Sequence, residues 1–395
     1  MVRSAFLYIL LIATFGYGQS AVVEVGVITS LTGRFAEFGE QHLAGLSLAV
    51  EDVNRAGGVK GLPIKLIIED DTSNQSAALA AADKLLRGDV PLILGAYSSS
   101  ITNPLAQYLT RQAYPLLIFS SSADSITRPG SPWVFRLNQP SSSYAGVLFD
   151  VFDTIRAQGE TLDTVALIHG NGAFETSVAD AAKTLARERG YNLVATESYD
   201  RGVTDFRPVL NRFRRLAPNA VLMVSYAEDS VAIMRQAKEV GLNAKVFAGG
   251  AAGFVIPNFI EGAGDAAEFV VTATTWTKDV RYPGAADLYE RLRECLGQEP
   301  SYHAAQAYAA LISAADVLSR AEDFSPEAVR LSLEQTDLQD SAYGPIRFES
   351  ENGYTNQNHI GMVAQQVLGG EFVTVYPPEA ATTDLYYPVP AWDAR

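Results

Sequence analysis

Residues 91–104 read P-L-I-L-G-A-Y-S-S-S-I-T-N-P, and the fold can be argued outward from them. The apolar run Leu92–Gly95 reads as a short buried strand, and a helix is expected to start near Thr102. Ser98, Ser99 and Ser100 therefore lie where a strand's carboxyl end meets a helix N-terminus. Hydroxyls and unpaired backbone N–H groups collect there, which is a geometry that binds anions. The pattern recurs at Leu116–Phe119, followed by Ser120, Ser121 and Ser122 and then the stretch around Asp124. Either triplet alone reads as a helix cap and a turn. Their coincidence on consecutive strands points instead to two serine loops facing one crevice.

The rest of the chain repeats this rhythm of short β-branched runs and longer helical patterns. Val23–Thr29, Ile64–Glu69, Leu92–Leu94 and Leu116–Phe119 form a first set of strands. Leu43, Leu46, Val50 and Val53 fall at helical spacing before the stop at Gly57-Gly58, and Leu79, Ala82 and Leu86 do so again. After the Pro- and Ser-rich stretch Pro129–Ser143 comes a second set, Val165–Ile168, Leu193–Tyr199, Ala220–Val224 and Lys245–Ala248. Helices are expected near 175–189, 206–216 and 229–240. Residues 284–334 read as further helices and 345–376 as closing strands. Strand-helix alternation of this kind is the signature of α/β architecture, here two doubly wound parallel-sheet lobes.

Arg3, the apolar run Ala5–Phe15 and the small residues Gly16 and Gly18 read as a cleaved export signal over residues 1–18. That run is too short to cross a bilayer. A periplasmic location follows as an expectation. The formal net charge of −15 becomes −16 once Arg3 leaves, because residues 1–18 contain no Asp or Glu. Such a surface repels nucleic acid and anionic lipid. Cys295 is the single cysteine, so no internal disulfide can form.

Catalytic signals are sparse. His42, His169, His303 and His359 show no metal-ligand spacing with each other or with Cys295, and no G-x-S-x-G, Walker A or G-x-G-x-x-G string occurs. No metal, no cofactor and no enzymatic activity are expected. Asp70-Asp71 ends a strand and reads as a solvated turn or helix cap.

From Val23 to about Pro390 the chain resembles the leucine/isoleucine/valine-type periplasmic solute-binding proteins of ABC transporters, which have the type I periplasmic binding fold. The strings that carry the resemblance are V-G-V-I-T-S-L-T-G-R-F-A-E-F-G at 25–39, N-R-A-G-G-V-K-G at 54–61, I-I-E-D-D at 67–71 and L-G-A-Y-S-S-S-I-T-N-P at 94–104. M-R-Q-A-K-E-V-G-L at 234–242 and P-S-Y-H-A-A-Q-A-Y-A-A-L at 300–311 follow in the same order. The resemblance implies two lobes joined by three crossovers near 136–142, 272–277 and 345–351. Lobe 1 would comprise residues 22–139 and 275–347, and lobe 2 residues 140–274 and 348–395.

It also implies that a ligand carboxylate is held by Ser99 of the first serine loop and by Ser120 and Ser122 of the second. Phe174 and Tyr226 of the second lobe would lie over the ligand. Phe38, Tyr97, Ser98 and either Tyr302 or His303 would touch its variable part. Amino-acid-binding members commonly pair the ligand ammonium with an acid of the second lobe, yet G-G-A-A-G-F at 249–254 has Ala251 there. Either Glu228 or Asp229 substitutes, or the ligand lacks an ammonium. Ser73 and Ser98 occupy positions where some members carry a disulfide. The implied function is capture of a small hydrophobic or aromatic carboxylate, or an amino acid, for the permease subunits of an ABC transporter. A monomer is expected, and a ligand-sensing role beside a receptor or regulator is the alternative.

Overall fold

The structure is a computed structural model and describes residues 22–395, so the expected leader over 1–18 lies outside the described residues. Strands β1 (Val23–Thr29), β2 (Ile64–Asp70), β3 (Ile93–Gly95), β4 (Leu116–Ile118) and β5 (Val134–Arg136) form the first sheet. Their order is β2-β1-β3-β4-β5 and every neighbour is parallel. Helices α1 (Ala36–Arg55), α2 (Gln75–Arg87) and α3 (Ser99–Arg111) make the connections. Strand order reverses direction between β1 and β3, so the loops that follow these strands border a crevice at their carboxyl ends.

Helix α4 (Ser141–Ala157) leads into the second sheet. There β6 (Thr164–Gly170), β7 (Asn192–Tyr199), β8 (Ala220–Val224), β9 (Val246–Gly249) and β10 (Val271–Thr274) alternate with α5 (Ala173–Glu188), α6 (Arg207–Leu216), α7 (Ala227–Glu239) and α8 (Pro257–Ala263). The chain then forms α9 (Ala285–Leu296), α10 (Tyr302–Arg320) and α11 (Pro326–Glu334), and a ribbon of β11 (Asp337–Leu338) and β12 (Ile346–Arg347). Finally β13 (Val363–Leu368) and β14 (Glu371–Tyr376) extend the second sheet to β14-β13-β10-β9-β8-β6-β7. β6 to β10 are mutually parallel, while β13 lies antiparallel to both of its neighbours.

These elements follow from burial. Val25, Val27, Ile28, Leu94 and Leu116–Phe119 are fully enclosed, as strands covered on both faces by helices must be. Helix α10 returns to the first lobe and packs on α1. The contact is so close that a Cβ at Gly45 would lie 2.0 Å from the carbonyl oxygen of Ala304.

Several expectations need correction. Helix α3 begins at Ser99 rather than near Thr102, so Ser99 sits in its first turn. The Ser-rich stretch read as ending at Ser143 instead opens α4, which starts at Ser141. Asp71 is fully buried, accepting from Ser30 Oγ at 2.6 Å and Ser73 N at 2.8 Å, whereas Asp70 is the turn residue. Asn74 provides the side-chain cap of α2.

Candidate functional site

The two serine loops meet. Ser99 Oγ accepts hydrogen bonds from the backbone N–H groups of Ser122 at 3.3 Å and Ala123 at 3.1 Å. Ser121 is the tie between the loops: its hydroxyl lies 2.9 Å from the Ala96 carbonyl and 2.6 Å from that of Tyr97, and it also contacts Thr102 Oγ1. Ser98 stands at the N-cap position of α3 without capping it by its side chain, and Thr102 Oγ1 donates to its carbonyl at 2.9 Å.

Ser120 belongs to a buried polar chain. Its Oγ donates to Gln306 Oε1 at 3.2 Å and lies 3.1 Å from His42 Nε2. His42 Nδ1 lies 2.7 Å from Thr29 Oγ1. Burial pushes the His42 imidazole down to about 3, so it is neutral and carries one donor and one acceptor. With the Ser120 proton given to Gln306, His42 donates from Nε2 and accepts at Nδ1. Gln306 in turn donates to Asn138 Oδ1 at 2.7 Å and to the Tyr343 hydroxyl at 3.1 Å, and Tyr343 reaches Thr275 Oγ1 at 3.1 Å. The loop is thereby tied to the chain segments that pass between the sheets.

Behind the second loop stands Arg136, fully buried at the end of β5. It donates to the Ala123 carbonyl at 2.7 Å, Thr127 Oγ1 at 2.6 Å and Gln357 Oε1 at 2.6 Å. Burial lowers its pKa only to about 10, so it remains a cation at neutral pH.

Aromatic side chains close over the serines. Tyr97, Ser99, Ser120, Ser122 and Ser121 line one wall of a cavity, with Phe174, Tyr226, Ala252, Tyr302 and His303 opposite and around it. Its volume is about 20 Å³, room for roughly one water. Phe174 comes from the first turn of α5, Tyr226 precedes α7, and Tyr302 and His303 open α10. The Phe174 and Tyr226 rings are 6.0 Å apart, while Tyr302 stacks on His303 at 4.0 Å. Phe38 does not line this cavity. It stacks behind Tyr97 at 4.2 Å and meets the His303 ring edge-on at 5.0 Å.

Ser98 instead faces a second, larger chamber of about 420 Å³, shared with Ser73, Arg34, Glu175, Asp229 and Tyr226. The two halves touch where Ser100 Oγ, which borders this chamber, accepts from Ala173 N at 3.2 Å, and again where Ser177 Oγ accepts from Asp124 N at 3.1 Å. Asp229 accepts from the Tyr199 hydroxyl at 3.1 Å and lies 3.9 Å from Arg34. Glu37 of α1 is pushed up to about 7 by burial and by the facing Glu228 of α7. Ala251 has φ 64° and is fully buried, with no acid beside it in the G-G-A-A-G-F loop.

Reading the residues alone missed four features: Ser121 as the tie, the His42–Gln306 chain, Arg136, and Glu175. The last follows directly on Phe174 and is 5% exposed. Burial raises its carboxyl to about 7.

The sequence matches the family described as periplasmic binding protein over residues 22–371. The chain belongs to that family. This periplasmic binding protein is 26% identical over 382 residues to "Leu/Ile/Val-binding protein homolog 7" of Brucella melitensis, covering 93% of this chain and 95% of the relative. It is 27% identical over 387 residues to "Leu/Ile/Val-binding protein homolog 8" of Brucella abortus, covering 93% of each. Its fold is shared with the branched-chain amino acid transporter substrate-binding protein LivJ of Streptococcus pneumoniae, solved in complex with isoleucine. That match has a TM-score of 0.77 at 21% identity, over 90% of this chain and all of the other. The leucine-binding protein LivK of Thermotoga maritima superposes with a TM-score of 0.78 at 22% identity, over 90% of this chain and 98% of the other.

Proposed function

We propose that this periplasmic binding protein is the substrate-binding component of a branched-chain-amino-acid-type ABC transporter. It holds a small hydrophobic or aromatic carboxylate, or an amino acid, between its lobes. One observation carries this reading. The backbone N–H groups of Ser122 and Ala123 converge on a single acceptor, Ser99 Oγ, at a helix N-terminus with the cation of Arg136 behind them. Ser99 Oγ accepts from both, so its own O–H is left to donate to a ligand carboxylate oxygen at this helix N-terminus, in a potential that favours negative charge. Each charge-assisted bond is worth about 1.5–3 kcal/mol, so three or four suffice without a direct guanidinium contact.

The names of the Brucella relatives and the isoleucine in the pneumococcal protein support an aliphatic amino acid, and the ring-lined cavity supports an apolar ligand body. Ser99, Ser120 and Ser122 anchor the head group, Ser120 by exchanging its bond to Gln306 Oε1 for one to the ligand. Tyr97, Phe174, Tyr226, Tyr302 and His303 enclose the rest, with Phe38 supporting Tyr97 and Ser98 facing the outer chamber. The lobes comprise residues 22–139 with 275–347 and residues 140–274 with 348–395. The protein works in the periplasm after loss of residues 1–18, as a monomer that delivers ligand to the permease subunits and catalyses no reaction. Ligand touching both lobes favours their closed arrangement by its differential affinity for it.

Calorimetry with leucine, phenylalanine and their deamino acids tests this. At least one is expected to bind, and Ser99→Ala is expected to weaken it about tenfold or more. Undiminished binding by a Ser99→Ala, Ser122→Ala double variant would refute the reading.

A further inference from the structure

Glu175 is a carboxylate at the edge of the cleft that forms no ion pair within 4.0 Å among the described residues. Its Oε2 is buried and has no hydrogen-bond partner among the described residues. Its side chain folds back over two glycines, where a Cβ at Gly170 would lie 2.8 Å from Oε1 and one at Gly172 would lie 2.4 Å from Oε2. Those positions therefore leave the space that the carboxylate fills. The carboxylate borders the 420 Å³ chamber, and Tyr226 is common to that chamber and to the serine cavity.

We infer that Glu175 receives a cationic nitrogen of the ligand, so that the ligand is an amino acid or another amine-bearing carboxylate rather than a plain acid. This rests on the serine loops being the carboxylate site. Of the other acids nearby, Asp229 takes the Tyr199 hydroxyl and lies beside Arg34, Glu37 and Glu228 face each other and do not border the chamber, and Ala251 offers only a methyl group. Arg34 and Arg201 border the same chamber, but among the described residues neither forms an ion pair with Glu175 within 4.0 Å. A buried carboxylate left unpaired is costly, and a ligand cation removes that cost by completing the pair.

The groups that face Glu175 are its own backbone N–H, Arg34 before α1, Arg201 after β7, Asp229 on α7, and the phenols of Tyr97, Tyr199 and Tyr226. Burial dominates over all of them, which is why the carboxyl stands at about 7 without ligand. A docked ammonium holds it ionised. Binding of an amine-bearing ligand thus releases a proton at neutral pH, and its affinity falls as pH drops from 8 to 5.5.

The test compares leucine with 4-methylpentanoate, and phenylalanine with 3-phenylpropanoate, on the purified protein, on Glu175→Gln and on Ser99→Ala. The wild type is expected to prefer the amino acid in at least one pair by about tenfold or more. Glu175→Gln is expected to remove that preference and the pH dependence while leaving the deamino acid unaffected, and Ser99→Ala to weaken both members of the pair. The pH series on the wild type needs no variant to fold. A deamino acid bound as tightly as its amino acid, or a preference that survives in Glu175→Gln, would overturn the role of Glu175 alone. Insensitivity of both members to Ser99→Ala would overturn the carboxylate site and this inference with it.

Discussion

The guanidinium of Arg136 donates from Nη1 to the carbonyl oxygen of Ala123 at 2.7 Å, wholly out of contact with solvent. Ala123, which presents its N–H to Ser99 Oγ, is thus anchored through its own carbonyl by a cation at the point where the chain leaves the first sheet.

Replacing Arg136 by Met removes three donors and leaves the Ala123 carbonyl, Thr127 Oγ1 and Gln357 Oε1 short of partners. We expect a loss of about 3 kcal/mol or more, read from the urea midpoint. Ligand affinity in the surviving folded fraction should also drop, since the second serine loop loses both its anchor and its cation. An unchanged midpoint would show that water replaces these bonds without cost.

Gly253 packs directly beneath Tyr226. A Cβ there would lie 2.4 Å from the Tyr226 carbonyl carbon and 2.5 Å from the Ala227 nitrogen, both backbone atoms. Gly253→Ala must push the start of α7 aside, at about 1–3 kcal/mol in thermal or chemical stability. Ligand binding should weaken with it because Tyr226 moves.

Tyr97 carries a hydroxyl that is buried without a partner among the described residues. Tyr97→Phe removes that group while keeping the ring that stacks on Phe38, so the ligand-free protein should gain about 1 kcal/mol. A loss of stability instead would reveal a water or a side chain that uses the hydroxyl.

The carboxyls of Glu37 and Glu175 are both raised from 4.5 to about 7, chiefly by burial. Below pH 4.5 each is protonated whether the chain is folded or not, so the favourable contribution is fully present. As pH rises to about 7 the unfolded chain releases protons that the folded one retains, and stability falls. Glu175→Gln should therefore match the wild type near pH 4.5 and exceed it at pH 8, by up to about 3 kcal/mol for this largely enclosed group. Glu37→Gln should move the same way by less, because Glu37 is partly exposed to screening solvent. Melting curves across this range would decide it, and parallel curves for wild type and variant would contradict the assignment.

The parallel strands were legible because burial on both faces writes itself as a short unbroken apolar run, as at Leu116–Phe119. Both serine loops were legible for the same reason, since they sit where such runs stop. Helix registers were harder. In α2 the enclosed stripe is Ala78, Ala81, Ala82 and Leu85, whereas Leu79 and Leu86 are only half-buried, because a close helix–sheet contact selects small side chains that carry little hydrophobic signal. Helix α4 escaped notice because its first turn is Ser141-Ser142-Ser143 after Pro140, and its later residues are apolar on most sides instead of along one stripe. Asp71 and Glu175 were misjudged or overlooked for a deeper reason. What encloses a carboxylate is set by residues distant in the chain, such as Ser30 for Asp71 and Tyr226 for Glu175, and local pattern holds no record of them.

Two of the hydrogen bonds that cross between the lobes, from Ala173 N to Ser100 Oγ and from Asp124 N to Ser177 Oγ, join with the nearly filled serine cavity to shape kinetics. A ligand bound as proposed reaches the serines only after these bonds part and the rings move. Uptake then proceeds through a rarer, opened species, and its observed rate should level off at high solute concentration at the frequency of that opening. Such a ceiling would limit how fast the protein can load, however abundant the solute.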